Sequence, residues 1–447
     1  MAPMRAVALA AIPSSLRRLN ERTVLERLRR LGTASRADLA KAASISQPTA
    51  GKIIEELLAF GLLEELDEDD PPDTTALTLP PRLGRPGRRL RLDTTQPRFL
   101  AIELGVDQTR LACLPLAARG VLPWQAVFPT GPSPDAWLAC LRTHAAQIPR
   151  AALWAVLVSV PGVVDEATGR VLYSPNLHWT ERLPLAELVS SVWSLPVRLV
   201  QEIRALALGH LAATPGCENF LLVDFGEGVG GAIIEGGQLL RHPLPLSAEL
   251  GHTPVLGNPR LCGCGATGCV ETLLSRSGLC RSLNEPPGAD VTVLETLARR
   301  IRSEGLPDWL GNALDAMGAI LAGALNVLGL RRVVVTGHLT DLPASVLERL
   351  AQAVRRGAMW ARFGEVICEP APRRRLEGLI AAGIDRLLFP ASSEGPLPEA
   401  TRRRMAETST RTSPRATTAP QTQSIPNARR PRRAPAPTEL KSYATPP

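Results

Sequence analysis

Residues 247–271 read SAELGHTPVLGNPRLCGCGATGCVE. Three of the chain's eight cysteines, Cys262, Cys264 and Cys269, fall within eight residues of this Gly-rich stretch, and His252 stands ten residues before the first of them. Three thiolates and one imidazole nitrogen make a closed tetrahedral set for zinc. Because no coordination position is left for water, such a zinc is structural rather than catalytic. A redox cluster is the other reading, but this clustering in a chain of 447 residues points to a metal loop rather than to a disulfide framework. The other cysteines, Cys113, Cys140, Cys217, Cys280 and Cys368, are scattered in apolar surroundings and read as inert buried thiols.

Outward from this loop, residues 98–390 alternate short apolar runs with helical segments, the pattern of an α/β domain. Before it, residues 16–92 carry a different signature. Val24, Leu25, Leu28 and Leu31 share one face of a helix that Gly32 ends. Ser35 caps a second helix with Asp38 three residues on, and Ser46 caps a third with Pro48 in its first turn. Ile53, Ile54, Leu57 and Leu58 form the inward stripe of that third helix, and Gly61 stops it. A tight turn between the second and third helices gives a helix-turn-helix, whose third helix enters the major groove by its N-terminal end. Gln47, Thr49 and Lys52 are therefore the candidates for base and phosphate contact. Gly51 costs ~1 kcal/mol against alanine in mid-helix, which suggests a close backbone approach there. Leu62, Leu63 and Leu66, then Leu90 and Leu92, read as two wing strands; between them Gly84-Arg85-Pro86-Gly87 and Arg88 suit a narrow minor groove. A three-helix protein-interaction module with a solvated basic loop is the alternative.

The net charge of +8 belongs to the end of the chain: residues 401–447 hold ten basic and two acidic side chains, so residues 1–400 sum to zero. Nucleic-acid binding by the folded part would therefore rest on local geometry, not on bulk charge. The stretch 391–447 is rich in Ser, Thr, Pro and Arg and is expected to be disordered, since it cannot offset its ordering entropy by burial. No apolar run approaches the ~20 residues of a membrane span, and the opening MAPMRAVALAAIPSSLRR is too broken for a secretory leader. A cytoplasmic protein with no membrane partner is expected.

The loop residues 247–271 resemble the hallmark of the ROK family, which contains bacterial sugar kinases and sugar-responsive repressors. Asn20, SRADLAKAASIS, GLLEE and GRPGRRLRLD resemble the DNA module and wing of the repressor branch; PGVVD at 161–165, SPNLHW at 174–179, RALALGH at 204–210 and VVVTGHL at 333–339 resemble landmarks of its ligand domain. The resemblance implies a winged helix-turn-helix followed by two α/β lobes of the actin-like ATPase superfamily. It also implies a sugar cleft between the lobes and a homodimer or homotetramer. It places Glu249, His252 and Glu271 at sugar-contacting positions, with His252 also a zinc ligand, and Gly162 and Asn176 further along the cleft. Asn176, after Pro175, reads equally as a turn residue.

The kinase pattern of that family breaks in three places. Its Asp-x-Gly-Gly-Thr turn corresponds to Glu103-Leu104-Gly105-Val106-Asp107, and its second phosphate loop to Gly226–Gly231 with Glu227 in place of a threonine. Its Asn-Asp pair corresponds to Gln201-Glu202, where Glu202 is a vestigial base one methylene too long. Gln201 and Glu202 keep cleft positions, but the added carboxylates repel a nucleoside triphosphate. The reading is thus a repressor, with no ATP cofactor, that binds operator DNA and a sugar or sugar phosphate effector. The competing readings are a sugar kinase with an appended DNA module and a ligand-independent DNA-binding scaffold.

Overall fold

A computed structural model describes residues 13–66, 88–117, 122, 124–148, 150–240, 248–284 and 290–385. The expected tail 391–447 and the wing-tip candidate Arg85 lie outside them. The first described element is α1 (Pro13–Leu31), which starts three residues ahead of the expected module and ends at Gly32, where φ of +69° suits a residue without Cβ. Ser35 and Asp38 form a reciprocal capping box at the head of α2 (Arg36–Ala42), and the Ser46 hydroxyl accepts from the Thr49 N–H at the head of α3 (Gln47–Ala59). The wing is a three-stranded antiparallel sheet in the order β1-β3-β2, from β1 (Ala34–Ser35), β2 (Leu63–Glu65) and β3 (Arg89–Leu92). Sequence reasoning expected two strands. It missed β1, a two-residue bridge too short to leave a pattern, and it extended β2 to Leu66. Beyond its own helix backbone and chain neighbours, nothing lies within 4 Å of where a Cβ on Gly51 would sit, so a close approach inside this chain does not explain that glycine.

The first lobe is a five-stranded sheet in the order β10-β7-β4-β5-β6. It comprises β4 (Phe99–Leu104), β5 (Gln108–Leu114), β6 (Gln125–Pro129), β7 (Ala155–Val160) and β10 (Val197–Gln201). Helices α4 (Pro134–Ala145) and α5 (Leu185–Trp193) pack on it, and β8 (Val163–Asp165) pairs with β9 (Arg170–Tyr173) in a hairpin beside it. Strands β4 and β7 are buried along their whole length, as central parallel strands require. Helix α6 (Glu202–Ala213) leads into the second lobe, a five-stranded sheet in the order β13-β12-β11-β14-β15. Its strands are β11 (Phe220–Phe225), β12 (Val229–Glu235), β13 (Gln238–Leu239), β14 (Arg332–Gly337) and β15 (Ile367–Pro370). It carries α7 (Glu271–Leu274), α8 (Arg276–Leu283), α9 (Asp290–Glu304), α10 (Asp308–Leu328) and α11 (Ala344–Gly357).

Helix α12 (Arg375–Gly383) returns the chain to the first lobe against α6. A Cβ on Gly378 would lie 1.7 Å from the Ala205 carbonyl oxygen, and one on Gly209 1.8 Å from that of Arg374, so only glycine lets these helices touch backbone to backbone.

Among the described residues α10 alone is long and apolar enough to cross a membrane by length and composition. This corrects the expectation that no segment approaches that length. Its apolar side is core, since Leu314, Met317 and Leu321 are fully buried and it packs along α11.

The N-terminal module shares one apolar core with the first lobe: Leu28, Leu39, Ile54 and Leu90 continue into Phe99, Leu114, Trp154 and Leu379. Arg98, 2% exposed, stitches the two: Nη2 lies 3.2 Å from Asp93 and donates to the Gly61 carbonyl, and the guanidinium lies 4.9 Å from the Trp154 ring. Helix α1 also forms ion pairs with both lobes of the ligand domain, Arg22 with Asp385 after α12 and Arg30 with Glu218 before β11.

Candidate functional site

A cleft of about 400 Å³ opens between the lobes at the carboxyl ends of β10 and β11. Gly162, Asn176, Gln201, Glu202, Glu249, His252 and Glu271 all line it, so the cleft candidates come together although up to 109 residues separate them. Asn176 is exposed in the turn after Pro175 and bears on the cleft mouth. Gly162 has φ of +90°, and a Cβ there would lie 2.3 Å from the Tyr173 carbonyl, so backbone packing alone accounts for this glycine.

At one end of the cleft His252, in a short 3-10 turn, faces the cysteine loop. One ligand atom from each of His252, Cys262, Cys264 and Cys269 lies within 4.8 Å of the others, and this group could hold a metal ion. The Cys264 and Cys269 sulfurs are 3.7 Å apart, and His252 Nδ1 is 3.6 Å from Cys262 Sγ. Zinc bonds of ~2.3 Å to sulfur and ~2.0 Å to nitrogen in a tetrahedron require edges of about 3.8 and 3.5 Å, so these two edges fit the ion. Burial pushes the Cys262 thiol up to about 12, so a bound cation is what would keep it a thiolate.

The loop is tied to both lobes. Glu271 accepts from the Val229 N–H at 2.9 Å, and the Tyr173 hydroxyl of the first lobe donates to the Gly263 carbonyl at 2.6 Å. His252 turns Nδ1 to the Cys262 sulfur and also lines the cleft. Glu249 is held above the usual carboxylate range by burial, against the lowering pull of His252.

The other end is crowded with ion pairs that sequence reasoning missed. Arg373 grips Asp224 with two parallel bonds, Nε to Oδ1 at 2.7 Å and Nη2 to Oδ2 at 2.8 Å, and Nη2 also donates to the Phe225 carbonyl. Thr336 donates to the same Asp224 carboxylate. Arg375 pairs with Glu202 and lies 3.8 Å from Glu103, whose carboxyl burial raises. Glu202 is therefore the acceptor of an ion pair rather than an unengaged base. Glu227 pairs with Arg276 at 2.8 Å, and Glu166 with Arg204 at 3.3 Å while also accepting from the Gln201 N–H. The run Arg373-Arg374-Arg375 was the one available signal, and nothing in its spacing names partners some 150–270 residues away.

On the N-terminal module, Gln47, Thr49 and Lys52 are exposed along the first turns of α3, while Ala50, Ile53 and Ile54 face inward. Arg88 is exposed beside β3 and donates to Glu65 at 2.8 Å.

Residues 99–382 match the model of the ROK family. The putative xylose repressor of Caldicellulosiruptor sp. (strain Rt8B.4) is 24% identical over 404 residues, covering 84% of this chain and 98% of the relative. The DNA-binding transcriptional repressor Mlc of Escherichia coli (strain K12) is 23% identical over 363 residues, covering 77% and 87%. The crystal structure of a ROK family transcriptional regulator, a homolog of E. coli MLC, superposes with a TM-score of 0.65 at 20% identity over 88% of this chain and 97% of that one.

Proposed function

The chain belongs to the ROK family, and we propose that it is a DNA-binding transcriptional regulator of carbohydrate metabolism that senses a sugar in the cleft between its lobes. The observation that carries this reading is the exposed head of α3, where Gln47, Thr49 and Lys52 project from a capped helix beside a three-stranded wing. The relatives named as repressors support the same reading.

In this account α3 enters the major groove, and Arg88 with the wing-tip Arg85 follows the backbone into the minor groove. Glu249, Glu271 and His252 Nε2 receive the sugar hydroxyls, with Asn176 and Gln201 alongside. A structural zinc on His252, Cys262, Cys264 and Cys269 orients the imidazole and fixes the loop that carries Glu271. No phosphoryl transfer takes place, because Glu202 is spent on Arg375 and would not serve as a base. The regulator works in the cytoplasm as a homodimer or homotetramer, so that paired modules meet half-sites ~34–36 Å apart.

The test is selection from a randomised duplex library at two salt concentrations, with wild type and the Gln47→Ala, Thr49→Ala and Lys52→Ala variants. Lys52→Ala should weaken all sequences alike and reduce the salt slope by about one, while the other two shift preference at a core position by ~1–3 kcal/mol. Equal behaviour of all three variants would point to a protein-interaction module instead.

A further inference from the structure

The crevice between the turns after β11 and β14 is filled from within. These strands are parallel neighbours, with Phe225 opposite Gly337, and in open α/β sheets ligands bind outside the carboxyl ends of such strands. Phosphate recognition at that place needs free backbone N–H groups and room beside glycine. Both are reduced at these turns. The Gly226 N–H is bonded to the Gly228 carbonyl at 2.9 Å, and the Val229 N–H to Glu271 at 2.9 Å. In the facing turn of the first lobe the Gly105 N–H is bonded to the Gln108 carbonyl at 3.0 Å. The room beside the glycines is taken by Arg373: its Nη2 lies 2.5 Å from where a Cβ on Gly226 would sit and 2.8 Å from one on Gly337. The guanidinium thus lies between the two turns, and its bidentate bond to Asp224 leaves the pair without net charge.

We propose that Arg373 is a built-in occupant of the phosphate end of the cleft, closing it to nucleoside triphosphates and confining the ligand to an uncharged, hydroxyl-rich molecule at the zinc-loop end. This rests on the cleft being a sensing site, and it narrows the ligand class by excluding phosphorylated sugars. Charge supports it. Asp107, Glu202, Asp224, Glu227, Glu249 and Glu271 line the cleft, against the two arginines Arg373 and Arg375, which are already paired. An anion entering would meet a surplus of carboxylates and would have to part Arg373 from Asp224.

The experiment uses the full chain, checked for folding by melting and for retained metal by elemental analysis, and titrates MgATP and inorganic triphosphate by calorimetry. A background variant, Val106→Gly with Asp107→Thr and Glu227→Thr, clears the other obstacles and leaves Arg373. Wild type and background should show no saturable binding at about 1 mM. Adding Arg373→Ala to the background should tighten MgATP at least ~10-fold, equivalent to 1.4 kcal/mol. Arg373→Met, which keeps the aliphatic stem, serves should alanine impair folding. Saturable binding by the background alone overturns the proposal, as does a folded background chain lacking Arg373 that still rejects MgATP. So does wild-type binding of triphosphate that Arg373→Ala abolishes, since Arg373 would then be a receptor for anions. None of these readouts involves DNA, so their failure is separate from failure of the regulator reading.

Discussion

The two ends of the cleft hold charge in different ways. At the loop end four donors from residues 252–269 converge as a group that could hold a metal ion, and the buried Cys262 thiol needs a cation to ionise. At the far end Arg373 and Arg375 meet Asp224, Glu202 and Glu103, so cation and anion both come from the chain. One end is assembled locally and completed by a ligand; the other is assembled by the tertiary fold and completes itself. A self-neutralised end tolerates little traffic; on the proposed reading, the loop end is where a ligand would be sensed.

The largest effect that separates the two ends is loss of metal. Cys269→Ser should lower zinc from about one per chain to near zero by elemental analysis and lower the melting temperature, a larger affinity loss than the ~10–100-fold of an outer-shell substitution. Retained metal in that variant would put the loop in the same self-sufficient class as the arginine end.

His338 lies behind both ends, with Nε2 3.0 Å from the Leu274 carbonyl and its ring against Phe225. Burial pulls it down to about 4. Below the unfolded value of ~6.5 the unfolded chain takes up a proton that the native chain refuses, so stability is full above that pH and drains as pH falls towards 4. At ~1.4 kcal/mol per unit the loss approaches ~3 kcal/mol, to be read from urea melts at pH 7 and 4.5. His338→Gln should flatten this part of the profile.

A smaller effect is expected at the arginine end itself. Arg375→Met should cost ~2 kcal/mol, less than a fully buried pair would, because the Arg375 and Glu202 side chains are 22% and 29% exposed. Adding Glu202→Gln should return part of that loss in a double-mutant cycle. Strict additivity would show that the ion pair contributes nothing. Smallest is Ser46→Ala, which removes the cap of α3 and should cost ~1 kcal/mol of stability with zinc content unchanged.

How much of this was legible follows the same division. The caps at Ser35 and Ser46, the stops at Gly32 and Gly61 and the metal loop are signals within a few residues of their effect, and the sequence carries them openly. The family resemblance supplied the two lobes and gathered Asn176, Gln201, Glu202, Glu249, His252 and Glu271 into one cleft. The acids at Glu202 and Glu227 were visible, but their cations were not. An arginine 149 residues from Asp224 has no periodicity to announce it, because its partner is fixed only when β11, β14 and the approach to α12 are brought together. β1 escaped for a related reason: it is a strand only because Arg89 and Leu90 pair with it.

Helix α1 sets one foot on each side of the ligand domain, through Arg22 to Asp385 and Arg30 to Glu218. A helix tied to both lobes couples them in both directions. If a sugar that draws the lobes together changes operator affinity by some factor, the operator must change the affinity for that sugar by the same factor. On the regulator reading, the genome would itself be an effector of this cleft. A chain seated on its operator and a chain free in solution would then respond to different sugar concentrations.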